Sequence, residues 1–220
     1  MAELITAITA AKIRAARAAI QIEVDEACQR AGRDPDEVEL LLAAKYVPIA
    51  DSGELLQAGI TLVGENRAQD LLAREEAYPA EFRFDFIGTL QSRKVKQITA
   101  HVRLIHSVAT DSVLAQLERH RTERTKILIE VNVAGEPGKA GVAPNDLDRF
   151  IERCPVPVVG LMTMPPLTDD AEKSRRWFAA LREMAQLRGL PTLSMGTSQD
   201  FVVAIEEGAT IIRIGARLLQ

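Results

Sequence analysis

A lysine that directly follows a run of apolar residues is the first place in this sequence where chemistry can sit. Leu40-Leu41-Leu42-Ala43-Ala44 reads as a buried strand, and Lys45 comes immediately after it. At the carboxyl end of a barrel strand the amine projects into the mouth. Partial desolvation there lowers its pKa and enlarges the neutral, nucleophilic fraction that Schiff-base formation requires. The alternative is a lysine that leaves the sheet for solvent, its stem covering apolar surface. Two glycine-bearing turns suggest anion binding. Ser194-Met195-Gly196-Thr197-Ser198 and Arg213-Ile214-Gly215-Ala216 end the last two apolar runs, and glycines there let backbone N–H groups approach a phosphate closely. Thr197-Ser198-Gln199-Asp200 also fits a capping box that opens a helix running to about Glu207, a role compatible with anion binding. Arg213 interrupts the run Ala209 to Ile214. A guanidinium in a buried strand is costly without partners, so it either pairs with a carboxylate such as Glu65 or Glu130 or points at a ligand in the mouth.

Gly64-Glu65-Asn66-Arg67 closes the second apolar run. Asn66 is suited to orienting a ligand oxygen, whereas Glu65 and Arg67 are expected to pair with each other. His101, His106 and His120 have no metal-ligand spacing, and His106 is expected to be a hydrogen-bonded structural residue. Cys28 and Cys154 are too far apart in sequence to suggest a disulfide framework or zinc knuckle. Lys139, flanked by glycines in Gly138-Lys139-Ala140-Gly141, is a second candidate amine, although a solvated loop lysine describes it better.

The elements that must position these groups alternate. Ile8, Ala11, Ala15, Ala18 and Ile22 recur at helical spacing, which predicts a long opening helix that Gly32 is suited to end. Eight short apolar runs follow: Val38–Ala44, Thr61–Gly64, Phe84–Gly88, Leu104–Val108, Ile127–Val133, Val156–Met162, Thr192–Met195 and Thr210–Ile214. Amphipathic segments separate them, as in Ser174–Leu187, where Trp177, Leu181 and Met184 share a face. Strands alternating with helices pair in parallel, and eight such units close naturally into a barrel. A doubly wound open sheet is the competing architecture, but no G-x-G-x-x-G, P-loop or internal repeat supports it. The reading is α/β, a single (β/α)8 TIM barrel with an additional N-terminal helix, taking up residues 1–220 as one domain.

Composition excludes several classes. Of 220 residues, 47% are hydrophobic and 26% charged, as expected of a globular chain. A formal net charge of -4 offers no general attraction to nucleic acid or anionic lipid. Neither a secretory signal nor a membrane-length apolar stretch is evident, so a cytoplasmic protein is expected.

The motifs Gly64-Glu65-Asn66-Arg67-Ala68-Gln69, Phe86-Ile87-Gly88-Thr89-Leu90-Gln91-Ser92-Arg93-Lys94, Ile105-His106-Ser107-Val108, Gly160-Leu161-Met162-Thr163-Met164-Pro165-Pro166 and Leu193-Ser194-Met195-Gly196-Thr197-Ser198 give a specific resemblance. From Val38 onward the chain resembles the pyridoxal-phosphate homeostasis protein family, whose barrel is similar to the N-terminal domain of alanine racemase. The resemblance implies pyridoxal 5′-phosphate as cofactor, Lys45 as the lysine that forms a reversible aldimine with it, and Arg213 as partner of the pyridine nitrogen. It further implies Ser198, Gly215 and Ala216 as phosphate ligands and Asn66 beside the ring. The chain departs from the family pattern at Tyr46-Val47, where a Thr-Lys pair is common, at Asp85 and Thr89, where histidines are usual, and at Ala216, a frequent threonine. The implied function is cofactor homeostasis by a monomer that hands the cofactor to apo-enzymes. The alternatives are a pyridoxal-phosphate-dependent racemase or decarboxylase, and a cofactor-free phosphosugar lyase using Lys45.

Overall fold

A computed structural model describes residues 4–5 and 7–220. Its strands are β1 (Glu39–Ala43), β2 (Leu62–Glu65), β3 (Arg83–Phe86), β4 (Leu104–Val108), β5 (Ile127–Glu130), β6 (Val158–Met162), β7 (Thr192–Thr197) and β8 (Ile211–Ile214). The α-helices are α1 (Ala10–Ala31), α2 (Ser52–Gln57), α3 (Ala68–Ala77), α4 (Val95–Ile98), α5 (Asp111–His120), α6 (Leu147–Glu152), α7 (Arg175–Gln186) and α8 (Phe201–Glu206). Each strand pairs in parallel with the next, and β1 pairs with β8 from Glu39↔Ile211 to Leu42↔Ile214, which closes the barrel. The expected α/β barrel with its extra N-terminal helix is therefore the observed fold.

Several predicted strands are shortened, two of them for plain local reasons. β5 stops at Glu130, and Val131 only bridges Val142 before Asn132 ties the turn by accepting from the Glu136 N–H at 3.1 Å. β6 starts after Pro157, which has no N–H to give to a ladder.

Side chains alternate across the barrel wall with period two. In β8, Ile212 and Ile214 join the core between wall and helices, whereas Ile211 packs inside with Leu41, Leu62, Leu104, Leu128 and Met162. This phase explains the buried polar residues: Asp85, Glu130, Ser194 and Arg213 each lie between outward apolar neighbours and are turned to the interior, as is His106 after the outward Ile105.

Helix α1 differs from its prediction. Its buried residues are Ala10, Ile13, Ile20, Val24, Ala27 and Cys28, while Ala11, Ala15 and Ala18 are exposed and Ile22 is 59% exposed. The stripe that packs is the one carrying larger side chains, since alanine gains little from burial. Gly32 ends the helix as expected, at φ 65°, with Thr9 as N-cap. In α7 the buried residues are Phe178, Leu181 and Ala185, so Leu181 lies on the inner face while Trp177 and Met184 flank it. Among the described residues no helix is long and apolar enough to cross a membrane.

Candidate functional site

The carboxyl ends of the strands surround a cavity of about 510 Å³, within the range of small-molecule sites. Lys45, Asn66, Ser198, Arg213, Gly215 and Ala216, drawn from the ends of β1, β2, β7 and β8, all line it. Closure of the barrel brings them together across most of the chain's length.

Lys45 does not meet the expectation of a desolvated amine. β1 ends at Ala43, and a 3-10 turn over Ala44–Tyr46 carries the lysine to the cavity rim. There it is exposed, with Nζ 4.9 Å from the centroid of the Tyr46 ring. The turn is held from beneath by a residue that the sequence reading missed. Arg74, 1% exposed on the inner face of α3, donates through Nη2 to the carbonyls of Val47 at 3.2 Å and Ala44 at 3.4 Å. Its Nε donates to Glu65 Oε1 at 2.8 Å, and its Nη1 bonds Ser52 Oγ. The partner of Glu65 is thus Arg74, not Arg67, which is exposed. The available signal was Arg74's place in the buried stripe Ala68, Leu71, Arg74. Burial pushes the Glu65 carboxyl up, and the Arg74 charge opposes that shift.

Asn66, next to Glu65, carries a buried side-chain oxygen with no partner among the described residues. An orphaned acceptor at a cavity wall calls for a donor from a ligand or water. Ser198 accepts from the Gly215 N–H at 3.3 Å, which ties the turn after β7 to the end of β8. A Cβ at Gly215 would lie 2.7 Å from Cε2 of Tyr46, so a larger residue there requires the Tyr46 ring to move. Gly196 adopts φ +90°, and a Cβ would meet that of Ala204 at 2.6 Å. The capping expectation holds in one half: Asp200 Oδ1 accepts from the N–H and hydroxyl of Thr197 at 2.7 and 3.0 Å. The helix itself is short, Phe201 to Glu206, and begins only after Asp200.

Arg213 is 6% exposed and has no ion pair with Glu65 or Glu130 among the described residues. Instead Nη1 donates to Ser194 Oγ at 2.6 Å and Nη2 to the Thr163 carbonyl at 2.9 Å. Burial pulls the guanidinium down to about 10, with Asp200 and Glu130 opposing, so it stays charged near neutral pH. Glu130 itself lines the cavity, which makes it a further site residue that the sequence reading treated only as a possible ion-pair partner. Burial pushes its carboxyl up against the charges of Arg213 and Lys139. His106 is structural as expected: fully buried, it contacts Ser194 Oγ at 2.9 Å and Asp85 Oδ2 at 3.1 Å. Lys139 is absent from the cavity wall and pairs with Glu136 at 2.8 Å.

Residues 42–219 match the family described as alanine racemase, N-terminal domain, so the barrel is of that class. Within it, the chain belongs to the pyridoxal phosphate homeostasis protein family. It is 42% identical over 209 residues to the pyridoxal phosphate homeostasis protein of Aquifex aeolicus, covering 89% of this chain and 92% of that one. A protein of unknown function from Bifidobacterium adolescentis superposes with TM-score 0.86 at 29% identity, covering 99% of this chain and 98% of the other. PipY of Synechococcus elongatus, solved with pyridoxal phosphate bound, gives TM-score 0.74 at 29% identity, covering 90% of this chain and 100% of PipY.

Proposed function

We propose that this chain binds pyridoxal 5′-phosphate through a reversible Schiff-base bond to Lys45 Nζ and serves cofactor homeostasis rather than rapid turnover. The observation that carries this reading is the convergence of an amine, a buried guanidinium, an unpartnered amide oxygen and a hydroxyl–glycine turn on one cavity. The names of the relatives and the cofactor-bound PipY structure support it. When bound, the cofactor supplies an aldehyde and an electron-withdrawing ring. Lys45 would provide the nucleophile, since a neutral amine carries the lone pair that Schiff-base formation needs. Ser198 and the backbone of Gly215 and Ala216 would hold the phosphate, to which Ala216 would contribute no hydroxyl. Arg213 would face the ring nitrogen as a donor and so oppose its protonation. Because one pKa unit is about 1.36 kcal/mol, a two-unit depression would disfavour the strongest electron sink by about 3 kcal/mol.

The whole chain acts as one binding unit in this reading, a cytoplasmic monomer that passes the cofactor to apo-enzymes. Two free cysteines support a reducing compartment, and the scattering of exposed large apolar residues such as Ile22, Leu167 and Leu187 supports a monomer. Borohydride reduction of cofactor-treated protein followed by peptide mapping should place the label on Lys45. Incubation with L-alanine in deuterated water should show no rapid loss of the α-hydrogen. Many rapid turnovers would replace homeostasis by an amino-acid racemase, for which Glu130 is the candidate base within the cavity.

Ser198→Ala is expected to weaken pyridoxal phosphate binding by about 1 to 2 kcal/mol and pyridoxal binding by less, because only the former presents a phosphate to the hydroxyl. Equal losses for both ligands, measured by titration, would instead assign Ser198 to tying Gly215 in place.

A further inference from the structure

Two oppositely charged side chains share the cavity without pairing. Arg213 and Glu130 both line it and are 6% and 9% exposed, yet no contact within 4.0 Å joins them among the described residues. Coulomb attraction is strong where water is scarce, yet Arg213 directs Nη1 to Ser194 Oγ and Nη2 to the Thr163 carbonyl. Those bonds form a chain through the barrel. Arg213 Nη1 is 2.6 Å from Ser194 Oγ, Ser194 Oγ is 2.9 Å from His106 Nδ1, and His106 Nε2 is 3.1 Å from Asp85 Oδ2. Asp85 accepts from Arg103 Nε at 3.0 Å and Nη2 at 2.8 Å, and Arg103 Nη1 lies 2.7 Å from each carboxylate oxygen of Glu39.

The proton positions follow from the two ends. Burial raises the Asp85 carboxyl, but hydrogen bonds from His106 and Arg103 overcome it and hold the group below its ordinary value. Asp85 is therefore an acceptor only, and His106 Nε2 carries a hydrogen. Burial pulls the imidazole down, keeping it neutral with a lone pair on Nδ1. Ser194 must then donate its hydroxyl hydrogen to Nδ1 and offer its oxygen to Arg213. Each donation points from Arg213 towards Asp85. A protonated His106 would reverse the hydroxyl and turn its hydrogen on the guanidinium.

We propose that Asp85, His106 and Ser194 are positioning residues that hold Arg213 away from Glu130, so that the cavity presents a guanidinium donor and a separate carboxyl to its ligand. The identity of that ligand rests on the function proposed above, whereas the separation of the two charges is a property of the protein alone. Released from Ser194, Arg213 pairs with Glu130 and the ring nitrogen loses its donor.

The test begins without cofactor. The Glu130 carboxyl is followed by carbon-13 NMR, its signal assigned from Glu130→Gln, in wild type and Ser194→Ala. The other charged or titratable groups facing it are Lys45, Tyr46 and Lys139, which the substitution leaves in place. The carboxyl should titrate above the ordinary glutamate range in wild type and lower by about one unit in Ser194→Ala, as Arg213 joins it. Pyridoxal phosphate should then dissociate about tenfold more readily from Ser194→Ala, and Glu130→Gln added to that variant should recover most of the loss. A structural role for Ser194 predicts no such recovery. If Ser194→Ala does not fold, Ser194→Cys, whose thiol is a weak acceptor, is titrated in its place. An unchanged Glu130 titration in the folded variant, or a binding loss that Glu130→Gln leaves unrepaired, overturns the proposal. Wild type that binds no pyridoxal phosphate refutes the function instead, and the titration still decides the chain.

Discussion

Lys45→Ala is expected to abolish the borohydride-stable label and the visible Schiff-base absorbance while leaving the fold intact. The side chain is exposed and makes no hydrogen bond among the described residues, and its contact with the Tyr46 ring is worth about 0.5 to 1 kcal/mol at an exposed site. A chain of this size should lose only about 1 to 4 °C in Tm from such a change. Ser198, Arg213 and the Gly215–Ala216 backbone remain, so the variant should still bind pyridoxal phosphate, now with immediate release on dilution. The decisive measurement is peptide mapping after reduction in both proteins. A label that persists in the variant, above all on Lys139, would remove Lys45 from the role assigned to it. Lys139 is the weaker competitor because Nζ bonds both Glu136 carboxylate oxygens, at 2.8 and 3.1 Å, and it does not line the cavity.

The largest effect on stability is expected from Arg74→Leu. This substitution leaves Glu65, 0% exposed, as a buried carboxylate without a counter-charge. Such a loss costs about 3 to 5 kcal/mol, or roughly 6 to 20 °C in Tm for a chain of this length. The pH dependence has a definite sign. With its pairing charge gone, the Glu65 carboxyl is raised further by burial, so the folded state favours the protonated form. Stability is then retained at low pH and lost as pH rises above the unfolded glutamate value of about 4.3, making the deficit greater at pH 7 than at pH 5. Adding Glu65→Gln should recover part of the loss at pH 7 and little at low pH. The carbonyls of Ala44 and Val47 also lose their donor, so cofactor attachment at Lys45 should slow in any folded fraction. Urea unfolding of the single and double variants at the two pH values checks this, and a single-variant deficit below about 1 kcal/mol would mean that the Arg74–Glu65 pair is not what anchors the turn.

What could be read along the chain was whatever depends on neighbours in sequence. Alternating apolar runs and amphipathic segments specified a parallel barrel, because strand and helix periodicities are local and only closure buries both edges of eight strands. The position of Lys45 after the first run and of glycine turns after the last two marked the mouth, since barrel geometry assigns strand ends to one face. Helix α1 showed the limit of that method: two alanine-rich faces had similar spacing, and only contact with the barrel selected the one bearing Ile13, Ile20 and Val24. The partners of charged residues were decided in three dimensions. Glu65 meets Arg74 nine positions away, across a turn and a helix face, rather than Arg67 beside it. Arg213 is held by Ser194 and Thr163 from neighbouring parts of the wall, and Ser194 by His106 from across the interior. Strand register and barrel closure place these atoms within hydrogen-bonding distance, and neither leaves a periodic trace in the residues concerned. The same closure puts Glu130 in the cavity with Arg213 yet unpaired, because a buried guanidinium takes the partners that geometry offers first.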